Sequence, residues 1–332
     1  MEATFNYRRP MMEVAQILKD LPLAEGEEPI SMDVLSQLGN LPADKREEVF
    51  NRVRESGAFF SEQHVPVHDL REAHLTINDG GAQLVSAPSA VDFSSAEFRD
   101  ASHHVGKTPQ VTPPPSHQTY YHEVEQLARE LLGPDVVHAF CTSHIIRDTH
   151  GADAVNTDGK NSGPIKTVHN DFTEEYGPIM KERLTTHPSQ SARFYRRQLK
   201  EQHGLDFVPE DIADYRLVVL NTWRPITAEP LRREPLAVCD NRSIQKSDLL
   251  KVRTGIGENP DDPEDDFALE VFMSTPNAEH RWHYVKEFTN QELMLFKSFD
   301  SVSDWMDECF PRLASPLFRL DLLLSYARVA NA

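Results

Sequence analysis

The sequence carries a histidine and an aspartate two residues apart, His169 and Asp171, in the segment Val-His-Asn-Asp-Phe. In an extended segment, side chains two residues apart project from the same face of the backbone. An imidazole and a carboxylate placed in this way can hold one metal ion from one side. They are two of the three protein ligands found in many non-haem iron(II) sites. A polar turn capped by Asp171 remains the alternative, because such a tripeptide also arises by chance.

A site of this kind needs a second histidine from a distant part of the chain. Four histidines follow Asp171, and two of them, His280 and His283, stand close together. Residues three apart on a strand point to opposite faces, so at most one of the two can reach a given site. The alternative is that both pack at a sheet edge beside Trp282 and Tyr284.

Three arginines stand beside strand-like segments: Arg224, Arg242 and Arg281. A planar guanidinium group suits the binding of a carboxylate, such as that of a 2-oxo acid cosubstrate or an acidic substrate. The alternative for each arginine is a buried ion pair with one of the many acidic side chains. Both interpretations stay open at this point.

The composition excludes several classes of function. The chain has 332 residues and a formal net charge of -19, so we expect neither nucleic-acid binding nor adsorption to an anionic membrane, since both need dense positive charge. Its cysteines, Cys141, Cys239 and Cys309, form no Cys-x-x-Cys pair, which disfavours a zinc ribbon or a disulfide framework and favours a reducing compartment. The first residues lack the apolar core of a signal peptide. We therefore expect a cytoplasmic protein without a membrane span.

Hydrophobic periodicity predicts a mainly β fold with flanking helices. Helices are predicted over 44–56, 119–132 and 191–203, and strands dominate the second half, where residues 217–220 are continuously apolar. Thr289 followed by Glu292 has the pattern of a helix cap, and the apolar segment around 317–329 favours a short helix. No phosphate-binding glycine loop, nucleophile elbow or His-Glu-x-x-His motif is present. This distribution is typical of an antiparallel barrel or sandwich flanked by helices.

Five segments, read together, resemble one known family. They are "VHNDFT", "VVLNTWRPI", "PLAVCDNRS", "HRWHYV" and "ELMLFKSFDS", in that order along the chain. The family contains the cephamycin 7α-methoxylation protein CmcJ and fungal gibberellin-desaturase-type enzymes. The resemblance extends from about residue 60 to residue 301, and its motifs are specific only when taken jointly.

The resemblance implies a double-stranded β-helix (jelly-roll) core. It also implies Fe(II)- and 2-oxoglutarate-dependent oxidation of a small molecule in secondary metabolism, by hydroxylation, desaturation or ring formation. His169 and Asp171 would be the first two iron ligands. Arg224, Arg242 and Arg281 remain candidates for the 2-oxoglutarate carboxylate on the chemistry of the guanidinium group, since members of the family carry that anchor on an Arg-rich strand after the distal histidine. Because CmcJ acts with a partner protein, a protein partner is also possible.

The resemblance ends at Ser301. It therefore implies an N-terminal helical lead-in over residues 1–60, an oxygenase-like jelly-roll domain with helices over 61–301, and a divergent C-terminal tail over 302–332. Members normally continue into a Thr-Pro-His segment that holds the distal histidine, whereas residues 302–332 contain no histidine. Three explanations stay open: a mis-spliced or frameshifted gene, a variant that has lost oxygenase activity, or replacement of the ligand by His280 or His283. The corresponding alternative function is a non-catalytic jelly-roll binding or assembly protein that has lost its metal site.

Overall fold

The computed structural model describes residues 1–21, 30–31, 34, 43–99, 114–141, 144–148, 167–254, 269–301, 320–324 and 327–331. The strands are β1 (Glu2–Arg8), β2 (Phe60–Asp69), β3 (Ala82–Ser86), β4 (Val136–Cys141), β5 (His144–Asp148), β6 (His169–Asn170), β7 (Arg216–Pro225), β8 (Ala237–Cys239), β9 (Leu249–Thr254), β10 (Leu269–Ser274), β11 (Trp282–Tyr284), β12 (Glu292–Asp300), β13 (Leu320–Leu324) and β14 (Ala327–Asn331). The helices are α1 (Met11–Lys19), α2 (Ala43–Glu55), α3 (Leu70–Ala73), α4 (Ala96–Arg99), α5 (Pro115–Leu132), α6 (Tyr176–Thr185), α7 (Gln190–His203) and α8 (Pro209–Ile212). Short 3₁₀ turns cover Asn241–Ser243 and Lys246–Asp248.

The strands form one large sheet and two smaller ones. The large sheet has the order β3-β12-β7-β13-β4, with β14 pairing β5 and β7. The smaller sheets have the orders β1-β2-β11-β8 and β6-β10-β9. A backbone hydrogen bond from Val168 N to Asn6 O, 2.9 Å long, links the two smaller sheets. The predicted mainly β architecture with flanking helices is therefore confirmed.

Strand β7 runs through the centre of the large sheet and is buried along nearly its whole length. Its side chains alternate between two environments. Val218 and Leu220 pack with Tyr120 and Val124 of helix α5, whereas Asn221 and Trp223 line a cavity on the other face. This alternation decides which side chains of the strand can contribute to a site.

Helix α5 carries a buried carboxyl group into its contact with β4. Glu125 Oε1 accepts a 2.7 Å hydrogen bond from Cys141 N, and burial raises the pKa of Glu125 to about 7. The folded state therefore binds this proton more tightly than the unfolded chain does. The stabilisation of the fold by the protonated Glu125 carboxyl group is therefore complete below the usual pKa of 4.5. It is lost as pH rises to about 7.

The variant Glu125→Gln removes this titration and keeps an oxygen that can accept from Cys141 N. Relative to this variant, we expect the wild type to lose about 3 kcal/mol of unfolding free energy between pH 4.5 and pH 8. Urea unfolding at a series of pH values measures the difference. Glu130→Gln, at an exposed position of the same helix, should follow the wild-type profile, and an identical profile for Glu125→Gln would contradict the assignment.

Three local expectations differ from the structure. The segment predicted as a C-terminal helix contains strands β13 and β14, because a short apolar run satisfies a buried strand as well as a helix. Thr289 and Glu292 do bond to each other, at 2.9 Å between Oγ1 and Oε2, but this contact precedes strand β12. The lead-in predicted as helical over 1–60 begins with strand β1.

Within the described ranges, no helix combines the length and the apolar character needed to cross a bilayer. Cys141 and Cys239 form no disulfide among the described residues, and Cys309 lies outside those residues.

Candidate functional site

His169 and Asp171 lie side by side on the wall of a cavity. The short strand β6 carries His169 and pairs antiparallel with β10, where Met273 is its partner. His169 Nε2 and Asp171 Oδ1 are 3.3 Å apart, and their side chains are 17% and 21% exposed. The geometry therefore brings together the imidazole and the carboxylate whose spacing predicted a common face.

Neighbouring groups fix the orientation of both side chains. His169 Nδ1 lies 2.7 Å from Thr167 O and donates to it, which leaves the lone pair on Nε2 beside Asp171. A metal-binding histidine is commonly fixed in this way. Asn221 Nδ2 donates to Asp171 Oδ2 at 3.3 Å and to Ser298 Oγ at 2.9 Å. Asp171 Oδ1 thus remains turned toward His169.

Asn221 is a site residue that our sequence reasoning missed. It is 1% exposed and interrupts the apolar run of strand β7. A buried amide needs hydrogen-bond partners, so a single asparagine inside a continuously apolar strand was the available signal.

The cavity has a volume of about 1410 Å³, above the usual 300–1,000 Å³ of small-molecule sites. Strands of all three sheets contribute to its lining. Its walls combine charged groups with the aromatic side chains of Phe5, Trp223, Phe272, Trp282, Tyr284 and Phe296. A cavity of this size and composition can hold an apolar small molecule together with a second, charged one.

The structure separates the three arginines that were predicted as carboxylate ligands. Arg224 is 2% exposed and lies on the α5 side of β7, where it donates to Ala87 O at 2.6 Å. Arg281 forms an ion pair with Asp240 at 3.0 Å and is not among the cavity-lining residues. Arg242 lines the cavity and is itself paired with Asp240 at 2.8 Å.

The face of the strand explains the position of Arg224. Side chains alternate along β7, so Asn221 and Trp223 point into the cavity and Arg224 points away from it. Its guanidinium lies 5.4 Å from the ring centroids of Phe93 and Tyr120. Backbone carbonyl groups and aromatic rings on the α5 side of the sheet therefore hold Arg224.

The two downstream histidines occupy different environments. His280 lines the cavity, but its Nε2 lies 3.1 Å from Asp248 Oδ2. His283 lies near His68, with ring centroids 6.1 Å apart, and burial lowers its pKa. Among the residues that the structure describes, no group of three or more His, Cys, Asp or Glu side chains could hold a metal. Within these ranges His169 and Asp171 therefore lie together as a pair, with no third side chain of these types beside them.

The donor set of these two residues fits Fe(II). A neutral imidazole nitrogen and a carboxylate oxygen, both fixed by hydrogen bonds and both facing a cavity, are two members of the His₂-carboxylate arrangement of non-haem iron.

Comparison with known proteins finds relatives that are named as hydroxylases or desaturases. The hydroxylase/desaturase efuI of Hormonema carpetanum is 26% identical over 264 residues, which are 74% of each chain. The gibberellin cluster GA4 desaturase of Gibberella fujikuroi is 24% identical over 278 residues, covering 74% of this chain and 77% of the relative. The resemblance to hydroxylase/desaturase proteins is thereby confirmed.

A solved structure with a similar fold is the iron and alpha-ketoglutarate-dependent endoperoxidase NvfI. It is 17% identical, with a TM-score of 0.53 over 91% of this chain and 85% of that one. The predicted jelly-roll core is confirmed by this likeness. The family model described as YDMC, oxidoreductase/YMDC permease-like domain, matches residues 38–315. The chain therefore belongs to the YDMC oxidoreductase/YMDC permease-like domain family.

Proposed function

We propose that this protein is an Fe(II)- and 2-oxoglutarate-dependent oxidoreductase that hydroxylates or desaturates a small-molecule secondary metabolite. The observation that carries the proposal is the pair of His169 Nε2 and Asp171 Oδ1, 3.3 Å apart on the cavity wall. The names of the relatives support it, since efuI and the gibberellin cluster protein are a hydroxylase/desaturase and a desaturase. NvfI adds a jelly-roll relative whose name specifies iron and alpha-ketoglutarate.

In this proposal His169 and Asp171 hold the iron. Fe(II) bound there with 2-oxoglutarate would use O2 as the oxidant, with the keto acid decarboxylated to succinate and CO2, and would so supply the chemistry that removes hydrogen from a substrate C–H bond. Thr167 O keeps the proton of His169 on Nδ1, and Asn221 keeps Asp171 Oδ1 on the side of the imidazole. The aromatic walls exclude water and place an apolar substrate beside the pair.

Arg242 is the predicted arginine that stays available to a carboxylate of 2-oxoglutarate. Its guanidinium lines the cavity and is 45% exposed, with ion pairs to Asp240 and Asp79. The ion pair with Asp79 is open to solvent, since the Asp79 side chain is 63% exposed, whereas Asp240 is 2% exposed. A carboxylate in the cavity can therefore compete for Arg242 Nη1, the atom that contacts Asp79.

We infer a reducing compartment such as the cytoplasm, because it suits Fe(II) and two cysteines, Cys141 and Cys239, that form no disulfide among the described residues. The small-molecule substrate is part of the proposal, and a protein partner stays a prediction from the resemblance.

The proposal is tested by an anaerobic titration of the protein with Fe(II) in the presence of 2-oxoglutarate. We expect a metal-to-ligand charge-transfer absorption band in or near the visible range, and its intensity should saturate at one iron per chain. Omitting 2-oxoglutarate should remove the band. Absence of the band at saturating iron would contradict the proposal and would favour a jelly-roll binding or assembly protein without a metal.

A further inference from the structure

Strand β1 lies outside the residues 38–315 that define the family match, yet it forms part of the cavity wall. It occupies the edge of its sheet beside β2. Ala3, Phe5 and Tyr7 share one face of the strand and pack in one apolar cluster with Trp282 and Tyr284. The rings of Phe5 and Trp282 are 4.6 Å apart between centroids, and both residues line the cavity.

A buried chain of hydrogen bonds runs through Tyr7. Trp282 Nε1 donates to Tyr7 Oη at 2.8 Å, and Tyr7 Oη lies 3.4 Å from His280 Nδ1. His280 Nε2 donates to Asp248 Oδ2 at 3.1 Å, so Nδ1 is the acceptor for the tyrosine hydroxyl. Burial raises the pKa of Tyr7 to about 12, and the phenol therefore keeps the proton that this chain requires.

All four side chains in this series of hydrogen bonds are buried. Tyr7 is 0% exposed, and Trp282, Asp248 and His280 are 6%, 6% and 7% exposed. Asp248 is fixed in turn by two 3.1 Å hydrogen bonds from Asn277 Nδ2. Loss of the Tyr7 hydroxyl would remove the acceptor of Trp282 Nε1 and the donor to His280 Nδ1 at largely buried positions, which is a costly kind of change.

A second contact connects β1 to the metal-binding segment. Asn6 O accepts a 2.9 Å hydrogen bond from Val168 N, and Val168 directly precedes His169. Thr167 O, on the other side of Val168, accepts the bond from His169 Nδ1. The backbone that orients His169 is therefore held by the residue next to Tyr7.

We propose that Tyr7 is a positioning residue of the site. It seats strand β1 so that Phe5 and Trp282 form a ligand-facing wall and Asn6 holds the segment that carries His169. The part that concerns His169 rests on the proposed function; the part that concerns the wall depends only on the cavity.

The test compares full-length Tyr7→Phe, which keeps the ring and removes the hydroxyl, with Tyr215→Phe as a matched control. Tyr215 is 8% exposed and packs among helices α6 to α8 rather than on the cavity. The probe for the wall is 1-anilinonaphthalene-8-sulfonate (ANS) bound to metal-free protein, followed by energy transfer from tryptophan. Because Trp223 and Trp282 both line the cavity, we expect Trp223→Phe and Trp282→Phe each to lower the transfer. We expect Tyr7→Phe to bind ANS about 3- to 10-fold more weakly.

A second readout is the affinity for Fe(II) with 2-oxoglutarate, which should also fall about 3- to 10-fold in Tyr7→Phe and stay unchanged in Tyr215→Phe. The proposal is overturned if Tyr7→Phe binds ANS as tightly as the wild type, even if its melting temperature falls. It is also overturned if both tyrosine variants weaken ANS binding equally. If the wild type takes up no Fe(II), the proposed function fails, and the ANS comparison still decides whether Tyr7 seats the wall.

Discussion

Replacing Asp171 with alanine is expected to weaken Fe(II) binding by more than about 100-fold, because loss of a ligand should exceed the 10- to 100-fold cost of losing a residue that merely orients one. Only His169 would remain as a described ligand, and a single imidazole holds Fe(II) poorly. The same change leaves the Asn221 amide without its carboxylate acceptor. The measurement is the anaerobic titration with Fe(II) and 2-oxoglutarate, with the absorption band as readout.

The matched control is Glu175→Ala, which removes a carboxylate four residues away at an exposed position. This variant should bind iron as the wild type does. If Asp171→Ala keeps the wild-type affinity, the iron lies elsewhere, and the assignment of His169 and Asp171 is wrong. His169→Ala should match Asp171→Ala, since both donors belong to the same ion.

The second large effect is expected from Asp300→Ala, which should lower the free energy of unfolding by about 3 kcal/mol at neutral pH. The Asp300 side chain is 2% exposed and forms ion pairs with Arg216 at 2.6 Å and Lys297 at 2.9 Å. Without the carboxylate, two cations face each other at the end of strand β12. Urea unfolding at pH 7 measures the loss.

The pH dependence of this ion-pair cluster has a definite sign. Burial acts to raise the pKa of Asp300, but Arg216 and Lys297 outweigh it and hold the pKa below the usual value of 3.8. The stabilisation is therefore complete at neutral pH and is lost as pH falls through the lowered folded pKa. The wild type and Asp300→Ala should converge in strongly acidic solution.

A double variant separates lost attraction from uncompensated charge. Arg216→Met combined with Asp300→Ala should recover part of the lost stability, because it removes one of the two facing cations. A loss below about 1 kcal/mol for Asp300→Ala would instead show that the cluster behaves as an ordinary exposed ion pair.

Several elements were predictable from local pattern alone. The helices over residues 43–55, 115–132 and 190–203 and the central strand β7 follow from apolar periodicity. The pairing of His169 with Asp171 follows from the two-residue period of extended backbone. These features depend on interactions between residues near each other in the sequence.

Other features could not be read in the same way. Because β7 is buried on both faces, its sequence does not tell which face looks into the cavity, so it could not show that Arg224 lies on the face packed against helix α5. The apolar segment 320–324 fits a helix or a strand equally, and its pairing with β7 and β4 made it a strand. Strand β1 has the alternation of a strand, but its partner begins more than 50 residues later, at Phe60.

The sequence by itself determined the two-residue spacing of His169 and Asp171, the family resemblance, three of the helices and the central strand, because each depends on a short-range pattern of residues. Only the tertiary structure decided that Asn221 holds Asp171, that Arg242 rather than Arg224 reaches the cavity, and that Tyr7 contacts Trp282 and His280. Those contacts join residues from 50 to 275 positions apart. The packing of the sheets decides which buried faces meet when residues are so far apart in the sequence. A local pattern of residues does not contain that information.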